Sequence, residues 1–438
     1  MLQTIKNNFF DIRKEEWPLV ISMSLYFFIV IGLFWVLKPI KRGLLVNTYQ
    51  ENPLEIFGMI FAGAEVEQIA KVVNMLVVYL VVIIFSLLSN MMKRTQLNLT
   101  LSVVFGSLFL IFAFLLQNPG TATAWSLYVY GDMFNSAMVT FFWAFSNDIF
   151  NSEQAKRLYG LVGLGGILGG IVGATFVTQW VEITGRTFMM FVSILPVLVL
   201  AAIGFYVEKK TDSSGDKTCC DGNKNSQNAV YEGAKLVLKS KYLLAIVGIL
   251  GIYEMVSNIV DFQLSAVIAR EVEGALNKDA YFGLVGQITN IISLFVQVFL
   301  TSFVMKRFGV GIALLFLPVV ITAGSIGFFI LPGLAFVTVM SVGDNSLNYS
   351  INQSAKETLY TPLSRNMKYK AKAFIDMFIQ RFAKVLAVVL NLVFAAYIGL
   401  EQVEWLSAAS LLLLGFWIWL IIYVGKSFRD KSESSTVA

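Results

Sequence analysis

The sequence contains no histidine, two cysteines, Cys219 and Cys220, and only eight prolines in 438 residues. Without histidine the chain lacks the commonest general base, the usual nitrogen ligand for zinc and the usual near-neutral proton relay. Two adjacent cysteines supply neither a disulfide framework nor a metal cage, and they read as incidental thiols of a reducing compartment. Charge is scarce too: 14% of residues are Asp, Glu, Lys or Arg, against about a quarter in soluble domains. The 33 basic and 28 acidic side chains leave a net charge of +5, so neither sign dominates. Apolar surface is what abounds, with 57% of residues hydrophobic and 37 of them phenylalanine. That balance excludes a disordered chain, a disulfide scaffold and an ordinary water-soluble globule.

Apolar windows recur at 17–37, 69–89, 97–117, 123–147, 158–181, 186–206, 243–266, 281–304, 309–331, 333–353, 372–396 and 403–424. Each is close to the roughly 20 residues that a hydrocarbon core requires. They predict an all-α polytopic membrane protein with about twelve transmembrane helices, here spans 1 to 12. With the N-terminus on the cytoplasmic side, inner segments hold 24 Lys and Arg and outer loops hold six, the bias expected of short cytoplasmic loops. Those six are Lys38, Lys41, Arg42, Arg186, Arg270 and Lys278. The stretch Thr211–Asn228 (TDSSGDKTCCDGNKNSQN) is the one obviously flexible internal segment. The expected organisation is an N-terminal interfacial segment 1–16, a six-span half 17–206, a cytoplasmic linker 207–242, a second six-span half 243–424 and a cytoplasmic tail 425–438. Asp11, Glu15 and Glu16 argue against a transit peptide or cleavable signal in the first segment. Two six-span halves around a cytoplasmic linker resemble the major-facilitator architecture of secondary transporters. There, spans 1, 4, 7 and 10 line a cavity, with substrate near the midplane.

Ionisable groups inside spans are costly and are functional candidates by default. Span 4 carries Asp132, with Asn135, Ser136 and Trp143 on neighbouring faces. Span 7 carries Tyr253, Ser257 and Asp261 as one stripe at i, i+4 and i+8, with Asn258 beside it. In span 10, Asp344, Asn345, Asn348, Tyr349, Asn352, Gln353 and Lys356 recur over about three turns. Span 1 ends in Lys38-Pro39-Ile40-Lys41-Arg42, where the proline is expected to break or kink the helix. For Asp132 and Asp261 the plain alternative is a structural ion pair or a protonated carboxyl inside the bundle. Gln287, Asn290 and Gln297 of span 8 read as hydrogen bonds between packed helices. Arg381 and Lys384 of span 11 divide between internal pairing, for instance with Asp376, and a place near a cytoplasmic gate. The run 160–173 (GLVGLGGILGGIVG) looks like a phosphate loop at a glance, but it lacks the GK[ST] ending. Its overlapping GxxxG pairs predict close helix packing instead.

Three stretches carry a resemblance. KETLYTPLSRNMKYKAKAFID (356–376) resembles a signature of the bacterial and plastidic ATP/ADP translocase family, FWAFSNDIFNSEQAKRLYGLVGLG (142–165) resembles a second block of it, and AEVEQIAKVVN (64–74) is a weaker third match. The resemblance implies a functional set of two lysines and two carboxylates on separate helices. By position these fall on Lys41 in KPIKRG, Asp132 in GDMFNS, Asp261 in NIVD and Lys372 in AKAFID. All four charge signs are kept, although both carboxylates are one methylene shorter than the family's glutamates. Family aspartates flanking the first lysine read Pro39 and Arg42 here. Family lysines read Ser265 and Asn348, and a family aspartate reads Gln353.

The resemblance implies a secondary transporter of nucleotides, ATP/ADP-type counter-exchange by alternating access, in a bacterial inner membrane with both termini cytoplasmic. Lysine acts as a compact charge for phosphate oxygens, and low-dielectric surroundings strengthen that attraction. Lys41 and Lys372, assisted by Lys38, Arg42 and Lys356, would bind phosphate. Asp132 and Asp261 would hold the cations when the cavity is empty. Tyr253, Asn258, Tyr349 and Asn352 are candidates to bracket base and ribose. The competing reading is proton-coupled import of a nucleotide or another anionic metabolite, with Asp132 or Asp261 titrating. A membrane enzyme or receptor would need a catalytic constellation or an ectodomain, and the sequence shows neither. No metal or cofactor is called for, the partners are a nucleotide and the bilayer rather than nucleic acid, and the oligomeric state is left open.

Overall fold

A computed structural model describes residues 13, 15–56, 58–150, 152–211, 235–360, 371–372 and 374–437. Most of the interfacial segment, most of the linker with Cys219 and Cys220, and the basic loop 361–370 lie outside the described residues. Helices make up nearly all of the rest. In order they are α1 (Trp17–Glu51), α2 (Gly63–Met91), α3 (Arg94–Leu115), α4 (Thr121–Ile149), α5 (Ser152–Thr211), α6 (Lys241–Glu271) and α7 (Ala275–Phe295). Then come α8 (Thr301–Ile330), α9 (Leu334–Leu347), α10 (Gln353–Leu359), α11 (Gln380–Ile398) and α12 (Leu406–Val437). Short π-helical turns at Val296–Leu300 and Asn348–Asn352 join α7 to α8 and α9 to α10, and a third, Ile375–Ile379, leads into α11.

Among the described residues, nine helices are long and apolar enough to cross a membrane. One of them, Arg157–Lys210, holds the two windows 158–181 and 186–206, folded back at Gly185 with φ 77° and ψ 168°. A Cβ at Gly185 would meet no atom, so the positive φ is what asks for glycine there. The expected spans 4 and 10 are helical but fall outside the nine: α4 carries Asp132 and other polar residues, and span 10 is divided by a π-helical turn into α9 of 14 residues and α10 of seven.

Two expectations are corrected near α1. Pro39 does not end the helix, which continues through Lys41 and Arg42 to Glu51. A mid-helix proline loses one backbone hydrogen bond; burial of residues 39–46, save none, offsets that loss. The supposed outer loop 38–68 is accordingly the last turns of α1, a hairpin pairing β1 (Leu54–Ile56) antiparallel with β2 (Met59–Phe61), and the start of α2.

The chain forms two compact units. The first comprises 1–51, 73–222 and 274–290. In it α1 packs along α5 and α4, and α3 packs against α5. The glycine run permits the first contact: a Cβ at Gly165, Gly169 or Gly173 would run into the backbone of Ser24, Phe28 or Gly32 on α1. A buried hydrogen-bond chain fixes the third helix, with Tyr26 Oη donating to Asn98 Oδ1 at 2.8 Å and Asn98 Nδ2 donating to the Leu200 carbonyl at 3.1 Å. The beginning of α7 belongs here too. Arg186 grips the fully buried Asp279 through Nε and Nη2, at 2.5 and 2.9 Å.

The second unit comprises 52–72, 223–273 and 291–438. Its centre is α6, packed by α11, α12 and α9, with α8 against α9 and α12. Gln263 on α6 donates to the Val403 carbonyl and to Ser407 Oγ, both at 3.0 Å. The hairpin and the first turns of α2 belong to this unit.

Close packing of α1 on α5 yields a test. Gly169→Val is expected to lower the melting temperature or abolish monodisperse folded protein in detergent. Gly163→Val, where a Cβ meets nothing within 4 Å, is expected to melt like the unaltered chain.

Candidate functional site

In the first unit, α1 brings Lys41 against α4. Lys41 is 3% exposed and its Nζ lies 2.5 Å from Asp132 Oδ1. The ammonium also sits 4.4 Å from the centre of the Tyr128 ring, one turn before Asp132. Asn74 on α2 donates its amide to the other Asp132 oxygen. The lysine stem fits because residue 131 is glycine: a Cβ there would stand 2.7 Å from Lys41 Cδ. Lys38 and Arg42 are near in sequence yet turned elsewhere. Lys38 Nζ lies 4.4 Å over Trp35, and the Arg42 guanidinium lies 4.6 Å over Phe282. Both are cation–π seats, which hold a cation without neutralising it.

The second unit holds Asp261 on α6, and its partner is Lys71, with Nζ to Oδ2 at 2.5 Å. Lys372, one of the cations expected on Asp132 and Asp261 in the empty cavity, is instead bound by both oxygens of Glu357 at 2.7 Å. The reason is placement: Lys71 lies on the first turns of α2, in the segment that packs with α6, and reaches Asp261 first. Glu67, one turn earlier, lies 4.0 Å from Lys71 and accepts a hydrogen bond from Ser265 Oγ at 2.6 Å. A buried carboxylate and hydroxyl thus stand where the family has a lysine at position 265.

A cavity of about 470 Å³ opens in this unit, lined among others by Tyr253, Asn348, Lys356, Glu357, Lys372 and Gln380. Lys356 Nζ lies 4.9 Å over the Tyr253 ring and 3.4 Å from Asn348 Oδ1. Lys384 pairs with Glu254 at 3.4 Å, with Glu254 also on the cavity wall. Besides Asp261, three sequence candidates of this unit are not in the lining. Asn258 accepts a hydrogen bond from Asn391 at 3.4 Å, Asn352 is buried and donates to Asn348 at 3.0 Å, and Tyr349 is 50% exposed.

Sequence reasoning passed over Lys71, Glu67, Asn74 and Glu357. The signal for Lys71 was present, since it lies inside the window 69–89, and Glu67, Lys71 and Asn74 all sit in the weaker matching stretch AEVEQIAKVVN. Among the described residues no group of three or more acidic or cysteine side chains could hold a metal ion. The arrangement in each unit is suited to binding anions: cations held by a carboxylate or an aromatic ring, in the second unit beside a polar cavity.

The sequence pattern of the TLC ATP/ADP transporter family matches residues 1–123 and 121–428. The chain belongs to that family. Its relatives include ADP,ATP carrier protein 3 of Rickettsia bellii, 21% identical with 98% of each chain covered. Another is ADP,ATP carrier protein 1 of Chlamydia muridarum, 24% identical over 88% of this chain and 84% of that one. The fold is similar to the nucleoside transporter NupG, with a TM-score of 0.62, 9% identity and coverage of 94% of this chain and 99% of that one. It is also similar to a bacterial homologue of the iron transporter ferroportin, with a TM-score of 0.66, 10% identity and coverage of 93% and 98%. The family member is thus an all-α, multi-pass transporter with a major-facilitator-like fold, and not an enzyme.

The pair on α1 and α4 predicts an asymmetric mutant cycle. Lys41→Met alone leaves Asp132 without its cation and is expected to cost about 3 kcal/mol, the lower end for a broken buried pair. Combining it with Asp132→Leu is expected to recover most of that loss, as read by thermal melting in detergent.

Proposed function

We propose that this chain is a secondary transporter that exchanges ATP for ADP across a bacterial inner membrane by alternating access. Its twelve spans form the halves 17–206 and 243–424 around the linker 207–242, between an interfacial segment 1–16 and a tail 425–438, with both termini in the cytoplasm. The observation that carries the reading is the storage of lysines on carboxylates: Lys41 on Asp132, Lys71 on Asp261 and Lys372 on Glu357. An ammonium bound in this way is held in place without substrate and can be transferred to a phosphate oxygen without being exposed bare to a low dielectric. The family relationship and the relatives named as ADP,ATP carriers supply the nucleotide.

In this mechanism phosphate oxygens compete with Asp132 for Lys41, and with Glu357 for Lys372. Lys356 adds a third cation beside the cavity. Asp261 holds Lys71. Lys38 and Arg42, seated on aromatic rings, are drawn in by the charge of the polyphosphate. Tyr253, which lines the cavity, offers a ring to the base, while Tyr349, Asn258 and Asn352 contribute hydrogen bonds as the site rearranges. Release of substrate on one side leaves the carboxylates needing their lysines again. The empty carrier therefore returns slowly and the loaded one quickly, which makes exchange obligatory.

Proteoliposomes loaded with ADP are expected to take up labelled ATP, and empty ones are not. Lys41→Ala and Lys372→Ala are each expected to cut that uptake at least tenfold while the protein still folds. Equal uptake into loaded and empty vesicles would contradict exchange, and normal uptake by either variant would remove that lysine from the phosphate site.

A further inference from the structure

The stripe Tyr253, Ser257 and Asp261 on α6 has three levels, and the mechanism above uses only the outer two. At one end Tyr253 carries Lys356 over its ring beside the cavity. At the other end Asp261 holds Lys71. In the middle, Ser257 Oγ donates at 2.6 Å to Oδ2 of Asp344 on α9. Asp344 is 1% exposed, its Oδ1 has no hydrogen-bond partner, and no ammonium or guanidinium group lies within ion-pair distance of it among the described residues. Burying an ionised carboxylate with no cation on it is costly, and a bound proton removes the cost.

Its surroundings point the same way. From α6, Glu254 and Asp261 face Asp344, each with its own lysine, Lys384 and Lys71, along with the phenol of Tyr253. From the α9–α10 helix itself, Lys356 and Tyr349 face it, but Lys356 is drawn off to Asn348 and to the Tyr253 ring. The part of α8 from residue 310 to 330, packed on the other side, carries no charged residue. Water is near as well: Tyr253, one turn before Ser257 on the same stripe of α6, lines the cavity.

We propose that Asp344 is a proton-binding site coupled to nucleotide transport. Ser257 passes its hydroxyl proton to Asp344 Oδ2, forming one O–H bond, and regains a proton from water on the cavity side, where Tyr253 stands. That bond breaks when the proton is returned to water on the opposite side. The inference rests on the exchange reading and gives the proton a purpose. ATP carries one more negative charge than ADP, so bare exchange moves a net charge each cycle. A proton that travels with ATP makes the cycle electroneutral. Neither Asp132 nor Asp261 is needed for this, since each is occupied by a lysine.

The experiment uses ADP-loaded proteoliposomes and labelled ATP outside, with the membrane potential clamped. Lowering the outer pH by about one unit, with the interior held, is expected to accelerate ATP uptake severalfold, about the tenfold change in proton activity at most. That acceleration is expected to vanish in Asp344→Asn and to return in Asp344→Glu. In a second arm, infrared difference spectra of the solubilised protein are expected to show a protonated-carboxyl band that Asp344→Asn lacks, a reading that needs no transport. Exchange that proceeds in the unaltered protein but ignores the gradient would overturn this inference and leave the exchange reading standing. The same acceleration in Asp344→Asn, or one that follows sodium rather than protons, would overturn it too. No ADP-dependent uptake under any condition would overturn the exchange reading, and this inference with it.

Discussion

A lysine ammonium inside an apolar bundle has to be neutralised locally, and this constraint organises the whole protein. Lys41 and Lys71 are each answered by an aspartate at 2.5 Å, on α4 and α6. The partners come from distant parts of the chain, so each pair doubles as a specification of which helices must meet. Removing the aspartate leaves a lysine side chain, 4% exposed at Lys41 and 17% at Lys71, without its counter-charge, which is why such pairs are weak as sources of stability and strong as determinants of arrangement. They are also the natural place for a polyanion to act, because a phosphate oxygen offers the lysine what the carboxylate offers.

Packing around the pairs supports this use of charge. Small residues bring α5 onto the backbone of α1, and Gly131 leaves the groove in which the Lys41 stem lies. Aromatic rings seat the remaining cations: Trp35 under Lys38, Phe282 under Arg42 and Tyr253 under Lys356. A ring attracts a cation while leaving its full charge available to a ligand. Carboxylate and ring seats therefore differ in how readily they give up their cation, and each unit uses both. The π-helical turn Asn348–Asn352 adds to this by breaking the regular register of the α9–α10 helix at the cavity wall.

Much of this was legible in the sequence. The class, the family and the helical windows followed from apolar length and a few ordered motifs, and the GxxxG run announced the α1–α5 contact from one side of it. The stripe Tyr253, Ser257 and Asp261 was visible from spacing alone. What could not be read was partnership across the chain. A helical stripe says which residues share a face and nothing about which helix meets it, so the place of Lys71 on α2 as the partner of Asp261 could not be read. Lys71 escaped notice because one lysine near the end of an apolar window looks like a snorkelling side chain. Of the break or kink that local propensity predicted at Pro39, the break does not occur, and burial of the residues after it carries the helix on to Glu51.

The central claim is that substrate phosphate and protein carboxylate compete for the same lysines. Calorimetric titration of ADP into purified Asp132→Asn protein tests it most directly. If the carboxylate competes, its removal frees Lys41, and ADP binds severalfold more tightly than to the unaltered protein. Binding that is unchanged or weaker in Asp132→Asn would contradict the account, because the aspartate would then support the nucleotide rather than hold its place.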